Sequence, residues 1–298
     1  MNYVALIVTF NRLEKLKNTI SKTLALDFKN IVIVNNGSSD GTADWLCQFL
    51  DSRINIINLD TNRGGAGGFK IGSEYICNNI QADWVFFYDD DAFPEHNALE
   101  NFSNIQKGEC RVFACLVKDL DGNICQMNLP FTKVPSSLWQ NLNYIFRPQK
   151  FVPVDYNDHC QIQTVSFVGM IIHNNLLREN LNNIHEELFI YFDDFYFGYH
   201  LYLNGETILY TSKVIFRHDV SIQGKVILPT WKVYYLIRNM ILSRKFFSDS
   251  SLFSTSSIVL RVIKYLLMFP WQREKISYIK FLYRGVVHGI KGFAGKYH

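Results

Sequence analysis

Three adjacent carboxylates, Asp89-Asp90-Asp91, follow directly on the apolar run Trp84-Val85-Phe86-Phe87-Tyr88. Like charges packed so closely repel one another, and a cation at the end of the run would relieve that cost. Hard ions such as Mn2+ or Mg2+ take carboxylate oxygens and keep diphosphate oxygens as further ligands. Side chains alternate along an extended segment, so Asp89 and Asp91 can face one ligand while Asp90 points elsewhere. A solvated acidic turn is the alternative. A second pair, Asp193-Asp194, lies among aromatics in Phe189-Ile190-Tyr191-Phe192-Asp193-Asp194-Phe195-Tyr196-Phe197-Gly198. Apolar surroundings raise a carboxyl pKa and suit such a group to take a proton from a hydroxyl. The same pair would also cap a helix beginning at Phe195. His218 follows a short apolar run, and taken alone it reads as structural.

Two polar segments complete the set. Asn62-Arg63-Gly64-Gly65-Ala66-Gly67-Gly68-Phe69 has four glycines within five residues, which lets backbone amides approach a ligand closely. A helix starting after it would add an N-terminus that favours anions. The spacing is neither the G-x-G-x-x-G fingerprint nor a P-loop, and a plain flexible loop is the alternative. Asn35-Asn36-Gly37-Ser38-Ser39-Asp40-Gly41-Thr42 is rich in turn and cap formers and is a candidate for base or ribose contacts.

These motifs need a frame that brings them together. Apolar runs at 3–10, 31–34, 54–59 and 84–88 alternate with helical patterns at 13–24, 43–50 and 69–79. Runs apolar throughout are strands covered on both faces. The alternation predicts an α/β fold with a doubly wound, mostly parallel sheet, and every motif sits at a strand C-terminus, where open sheets bind ligands. Further strands are expected at 112–118 and 165–173, with loops between them because of Pro130, Pro135, Pro148 and Pro153. Residues 1–228 read as a catalytic domain, with a ligand half to about 100, and 229–298 as a helical segment. In the latter, Lys and Arg interleave with aromatics. The run 258–269 is too short and too charged to span a bilayer. An amphipathic helix lying on a membrane surface and one packed on the domain or in an oligomer contact both fit.

Composition narrows the class. The hydrophobic share is 48%, charged residues make up 19%, and the net charge is +3. That is the balance of a globular chain, and it gives no reason to expect nucleic acid. Cys47, Cys77, Cys110, Cys115, Cys125 and Cys160 form no metal or disulfide spacing, and the N-terminus reads as a strand rather than a signal peptide. Both point to a reduced, cytoplasmic setting.

Taken in order, the motifs resemble family 2 glycosyltransferases of the GT-A fold, and their galactofuranosyl- and rhamnosyltransferase branch in particular. Val8-Thr9-Phe10-Asn11-Arg12 looks like the opening strand, and the Asn35–Thr42 and Asn62–Phe69 segments like the nucleotide and glycine-rich loops. Asp89-Asp90-Asp91 looks like the D-x-D motif. Phe192-Asp193-Asp194 looks like the base motif. The resemblance implies metal ligation by Asp89, Asp91 and His218, with Mn2+ or Mg2+ as cofactor. It implies a general base at Asp194 and donor contacts from Thr9, Asn11, Arg12, Asn36, Asp40, Asn62, Gly64, Gly65, Asp89 and Asp90. Tyr235, Arg238 and Asn239 match a Tyr-x-x-Arg-Asn segment of the branch. Tyr196 stands where the branch carries an acidic residue used toward the acceptor. The implied function is inverting sugar transfer from a nucleotide sugar to a glycan hydroxyl, lipid-linked and at the inner membrane face, in bacterial surface polysaccharide synthesis. UDP-galactofuranose is the first donor and dTDP-rhamnose the second. A nucleotidyltransferase would need a basic glycine-rich loop beside the first strand, which is missing, and a sugar-nucleotide-binding scaffold would not need the intact carboxylates.

Overall fold

The computed structural model describes residues 1–153, 160–220, 226–248 and 252–298. Strand β1 (Tyr3–Thr9) is buried along its whole length, for the reason its composition gives: both faces are covered. Tyr3, Ala5 and Ile7 pack toward Leu16 and Ile20 of helix α1 (Leu13–Leu24). Val4, Leu6 and Val8 pack on the opposite face with Phe69 and Ile76 of α3 (Gly64–Asn79). Strands β2 (Asn30–Asn35), β3 (Ile54–Asn58) and β4 (Trp84–Asp89) run parallel to β1, with the short α2 (Thr42–Leu46) between β2 and β3. This is the parallel, doubly wound half the alternation predicts.

The second half mixes directions. After β5 (Ala92–Pro94) and α4 (Ala98–Ser103) come β6 (Val112–Lys118), α5 (Leu138–Phe146), β7 (Gln161–Ile162), β8 (Met170–His173), α6 (Asn174–Glu179), α7 (Asp193–Leu203) and β9 (Ile208–His218). The sheet order is β3-β2-β1-β4-β8-β6-β9-β5, with β7 also on β9. β8 lies antiparallel between β4 and β6, while β6 and β9 are parallel.

Several boundaries differ from the sequence reading. The strand expected over 165–173 is only Met170–His173, because the chain turns at Gly169 with φ +89°. Helix α3 starts at Gly64, not after the glycine cluster, with Asn62 Oδ1 accepting from Gly64 N at 2.7 Å. Glycine in a helix interior costs up to about 1 kcal/mol relative to Ala. Here it permits close packing: a Cβ on Gly68 would stand 2.5 Å from Val8 Cγ1. Helix α5 forms inside the proline-bearing stretch expected to be loop. Ser137 and Gln140 close a capping box at its start, which satisfies backbone donors the helix leaves open.

Three helices complete the chain: α8 (Lys232–Phe246), α9 (Thr255–Leu267) and α10 (Lys275–Lys291). α8 is almost wholly buried, and α10 lies against it through Gly285 and Gly289. Their apolar cluster includes Val134, Leu188 and Tyr196 from the preceding region. Arg261, one of the basic residues of this segment, is turned inward. Its Nε reaches Asn141 Oδ1 at 3.1 Å and its Nη2 reaches Pro135 O at 3.3 Å.

Candidate active site

β4 ends at Asp89, and Asp90-Asp91 form a turn, so strand alternation does not carry through the triplet. The three carboxylates are sorted by their partners instead. Asp90 Oδ2 accepts from Thr9 Oγ1 at 2.8 Å and from Phe10 N at 3.3 Å. Arg12 Nη1 bridges Asp90 Oδ1 at 3.3 Å and Asp91 Oδ2 at 2.6 Å. Lys15 Nζ adds a longer contact of 3.5 Å to the same Asp91 oxygen. Burial raises Asp89 well above the usual carboxylate range, and the charges of Asp91 and Asp90 add to it, as desolvation and like charge both disfavour ionisation. Burial likewise pushes Asp90 up to about 6 despite Arg12. Asp91 goes the other way: burial would raise it, but His218, Arg12 and Lys15 hold it low.

The other oxygen of Asp91 is different. Oδ1 is buried and accepts no hydrogen bond. His218 Nε2 stands 3.2 Å away without hydrogen-bond alignment. Both side chains are 5% exposed. Two ligands at right angles on an ion with bonds of about 2.1 Å are about 3.0 Å apart. An orphaned carboxylate oxygen facing an imidazole nitrogen at this separation suits a divalent cation. Asp89 is partly buried at the adjacent strand tip. Among the described residues no three His, Cys, Asp or Glu side chains converge on one point, so the fit rests on Asp91 and His218.

The second acidic pair comes close to the first: the Asp193 charge is among the causes raising Asp89. Asp193 is pushed up to about 8, by burial first and by Asp194 next. Asp194 is also raised by burial, but donors oppose the shift. Phe195 N donates to Asp194 Oδ1 at 2.7 Å, and the Phe167 amide and Ser166 hydroxyl are further polar contacts. The two carboxyls titrate as a pair, and the donors on Asp194 favour charge on that member.

The backbone leading into α7 is strained. The φ angles of Phe189, Tyr191 and Phe192 are 68°, 67° and 69°. This is the left-handed region that bulky residues avoid. Two adjacent residues of α8 hold it there. Asn239 Nδ2 donates to Leu188 O at 3.0 Å, Ile190 O at 2.8 Å and Tyr191 O at 2.9 Å. Arg238, fully buried, donates from Nη2 to Leu188 O at 2.8 Å and from Nη1 to Gly295 O. Tyr235 stacks on Phe189 with ring centroids 5.1 Å apart. The Tyr-x-x-Arg-Asn segment is thus a clamp on the loop before the carboxylate pair. Tyr196 is buried, and its hydroxyl donates to Asn239 O at 2.6 Å.

The loops after β1, β2 and β3 are stitched to one another by residues selected from sequence as donor contacts. Asn11, at φ 52°, accepts from Ser39 N at 2.7 Å. Asp40 accepts from Leu13 N at 3.0 Å. The buried Asn36 donates to Gly64 O at 2.8 Å and accepts from Arg63 N at 2.9 Å. Gly64, at φ +75°, lies against the Phe189 carbonyl, whereas a Cβ on Gly65 would meet nothing within 4 Å. Asn36, Asp40 and Asn62 therefore spend their side chains on backbone and shape the rim. Sequence reading missed Lys232, whose pKa is lowered first by burial and next by Arg12. It also missed Asn128 and Ser166, single polar residues in an aperiodic stretch that gives no pattern to find them by.

Proteins of known structure share this architecture. The S. aureus TarS 1–349 structure superposes with a TM-score of 0.54 at 16% identity, over 98% of this chain and 83% of that one. GalNAc-T7 with UDP, GalNAc and Mn2+ gives 0.57 at 12% identity, over 89% and 57%. These show the fold, a GT-A-like mixed sheet with C-terminal helices. In sequence, the poly-beta-1,6-N-acetyl-D-glucosamine synthase of Staphylococcus epidermidis is 35% identical over 94 residues, 29% of this chain and 22% of that protein. The synthase of Staphylococcus aureus strain COL is 31% identical over 109 residues, 34% and 26%. The chain spans about a quarter of the length of these curated relatives. The pattern described as "Glycosyl transferase family 2" matches residues 4–161, more than half of the 298, and it carries the strand-end motifs with it: this chain belongs to glycosyl transferase family 2.

Proposed function

We propose that this protein moves a sugar from a nucleotide-sugar donor to a glycan hydroxyl by a single inverting displacement. The observation that supports this most is the approach of the two acidic motifs, with one donor-less oxygen of Asp91 facing His218 and the Asp193–Asp194 pair near Asp89. Asp194 takes the proton from the acceptor hydroxyl as that oxygen attacks the anomeric carbon. Burial pushes Asp193 up to about 8, and the donors on Asp194 favour its charged form. Arg12 and Lys232 lie beside Asp91 and meet the diphosphate. Asp91 and His218, with Asp89 at the adjacent strand tip, would hold Mn2+ or Mg2+, which would supply charge to offset that on the leaving nucleoside diphosphate. Thr9, Asn11, Asn36, Asp40, Asn62, Gly64, Gly65 and Asp90 form or shape the donor wall.

UDP-galactofuranose is the proposed donor, on the order of the motifs, with dTDP-rhamnose as its alternative. A UDP-linked N-acetylhexosamine is a second reading, favoured by the names of the synthase relatives and by the UDP and GalNAc in one solved neighbour. The acceptor is proposed to be lipid-linked and the protein peripheral on the inner membrane face. Among the described residues no helix is long and apolar enough to cross a membrane. Val259, Ile263, Leu267, Trp271 and Ile276 are nonetheless exposed beside the exposed Lys264, Arg273 and Lys275. The test is a thermal-shift panel of the candidate donors with Mn2+, followed by transfer assays. Asp194→Asn should keep the donor-induced shift and lose transfer by about 10²–10⁴-fold. Activity in Asp194→Asn and none in Asp193→Asn would reverse the assignment, and full transfer in excess EDTA would remove the metal from it.

A further inference from the structure

We infer that residues 295–298 are a positioning strap. They hold Phe189 against the first turn of α3 and Trp231 at the start of α8, and so shape the donor side of the site. Asn239 secures the carbonyls of Leu188, Ile190 and Tyr191 but leaves Glu187 and Phe189. With Arg238, the strap takes those two. Gly295 N donates to Glu187 O, and Gly295 O accepts from Arg238 Nη1, whose guanidinium also reaches Glu187 O at 3.3 Å. The Phe189 ring lies against Tyr235 and meets His298 edge-on, with centroids 5.8 Å apart. Lys296 Nζ stands 5.8 Å from the centre of the same ring. The Phe189 carbonyl faces the other way. It accepts from Ala66 N at 3.3 Å and lies against Gly64, at the glycine-rich start of α3.

The strap is anchored on α8. Tyr235 Oη accepts from Tyr297 N at 3.0 Å and pairs with His298 Nδ1 at 3.0 Å. Tyr297 stacks on Tyr234 with centroids 4.6 Å apart, and His298 stacks on Trp231 at 4.1 Å. Trp231 directly precedes Lys232, which lies beside Arg12 and Asp91. A strap released from Tyr235 therefore loosens the Phe189 loop and this helix start together. Gly295 is the position on which docking depends. Its φ is +90°, and a Cβ there would meet nothing within 4 Å. A substitution thus strains the strap's backbone without a clash and without deleting a contact. The strap is read from packing alone, and only its effect on the donor rests on the transferase reading.

The test is amide hydrogen exchange in the full chain. Gly295→Ala should speed exchange at residues 295 and 297 about 5–30-fold, the ratio set by one side-chain-bearing residue in the left-handed region. The Ala66 amide should speed with them, because its acceptor on Phe189 loosens. Gly295→Asn enters that region more readily and should recover most of the protection. Tyr235→Phe keeps the ring on Phe189, removes the anchoring hydroxyl and should again speed Ala66. Gly205→Ala, at φ +85° and equally open, is the control for strain alone and should leave Ala66 as in the wild type. UDP with Mn2+ should bind Gly295→Ala more weakly than Gly295→Asn, and in transfer the donor KM should rise more than kcat falls. Unchanged Ala66 exchange in both Gly295→Ala and Tyr235→Phe overturns the inference, and so does equal speeding in Gly205→Ala. Absence of UDP and dTDP binding to the wild type would instead sink the transferase reading and leave the exchange result standing.

Discussion

Replacing Asn239 by Leu keeps the branched heavy-atom outline of the side chain and removes the clamp on the strained loop. Three carbonyls, those of Leu188, Ile190 and Tyr191, lose their donor. One amide nitrogen has two hydrogens, so this amounts to about two full hydrogen bonds. At roughly 1–3 kcal/mol for each buried group left unsatisfied, the loss is about 2–6 kcal/mol. Arg238 Nε also loses its acceptor, Asn239 Oδ1 at 2.8 Å. Against this stands the strain at Phe189, Tyr191 and Phe192. It is about 1–2 kcal/mol for each left-handed residue, part of which relaxes once the carbonyls are free. The net expectation is a loss of about 3 kcal/mol and a fall in Tm on the order of 5–10 °C.

The relaxation has a second consequence. Phe192 is the residue before Asp193, so a change of its φ turns the first turn of α7 and both carboxylates with it. Asn239→Leu should therefore lower kcat more than it raises the donor KM. Thermal scans by near-UV circular dichroism read the first effect and initial-rate transfer assays the second. A Tm within about 2 °C of the wild type together with an unchanged kcat would refute the clamp.

The two leading glycines of α3 separate packing from ligand contact. Gly64→Ala should lower Tm because its Cβ would meet the Phe189 backbone at positive φ, while Gly65→Ala should keep Tm and raise the donor KM; equal effects on Tm would contradict this. Asp193, pushed up to about 8, keeps a proton in the native state. The unfolded chain releases that proton near pH 4, so ionisation of Asp193 destabilises the fold as pH rises through its native value. His200 is held down to about 4. It has lost its proton in both states above about pH 6.5 and does not interfere there. Metal-free wild type should lose stability between about pH 6.5 and 8.5, and Asp193→Asn should lose less, the remainder coming from the raised Asp89 and Asp194; parallel curves for the two proteins would rule out the assignment. The exposed Ile263, Leu267 and Trp271 form the apolar face of a surface helix and its following turn. Flotation with anionic vesicles should fall when all three are changed to Ser together, and no change would leave that face without a membrane role.

What the sequence made legible was set by short-range pattern. Ile31-Val32-Ile33-Val34 and Trp84–Tyr88 are apolar on both faces. Only a covered sheet explains that, so the parallel half and the strand-end motifs could be placed. The glycine cluster was misread in extent because Gly68 answers to Val8 across the helix–sheet contact, as Gly72 further along answers to Leu6, which no local rule encodes. Helix α5 was hidden by its flanking prolines although Ser137-x-x-Gln140 is a capping box, a signal that marks a helix start. The positive φ values at Phe189, Tyr191 and Phe192 run against local preference, and residues such as Arg238 and Asn239, about fifty positions on, hold them. Asn128, which donates to Ser166 Oγ at 2.9 Å and stands 3.0 Å from His218 Nδ1, had no signal because such contacts are defined by partners, not by neighbours in sequence.

Asp91 shows how the chain divides one carboxylate between two tasks. Its Oδ2 edge is neutralised by Arg12 at 2.6 Å and Lys15 at 3.5 Å, cations fixed to the same fold. Its Oδ1 edge faces His218 and accepts no hydrogen bond. If charge compensation alone had shaped the triplet, the bare buried oxygen would be the first atom to receive a donor, since leaving it unpaired costs about 1–3 kcal/mol. The cost is instead kept at one atom, beside a strained loop that carries the second acidic pair. Local rules are broken together where strain or unmet bonding serves a ligand. That concentration, more than any single motif, separates a transferase site from an acidic turn at the end of a sheet.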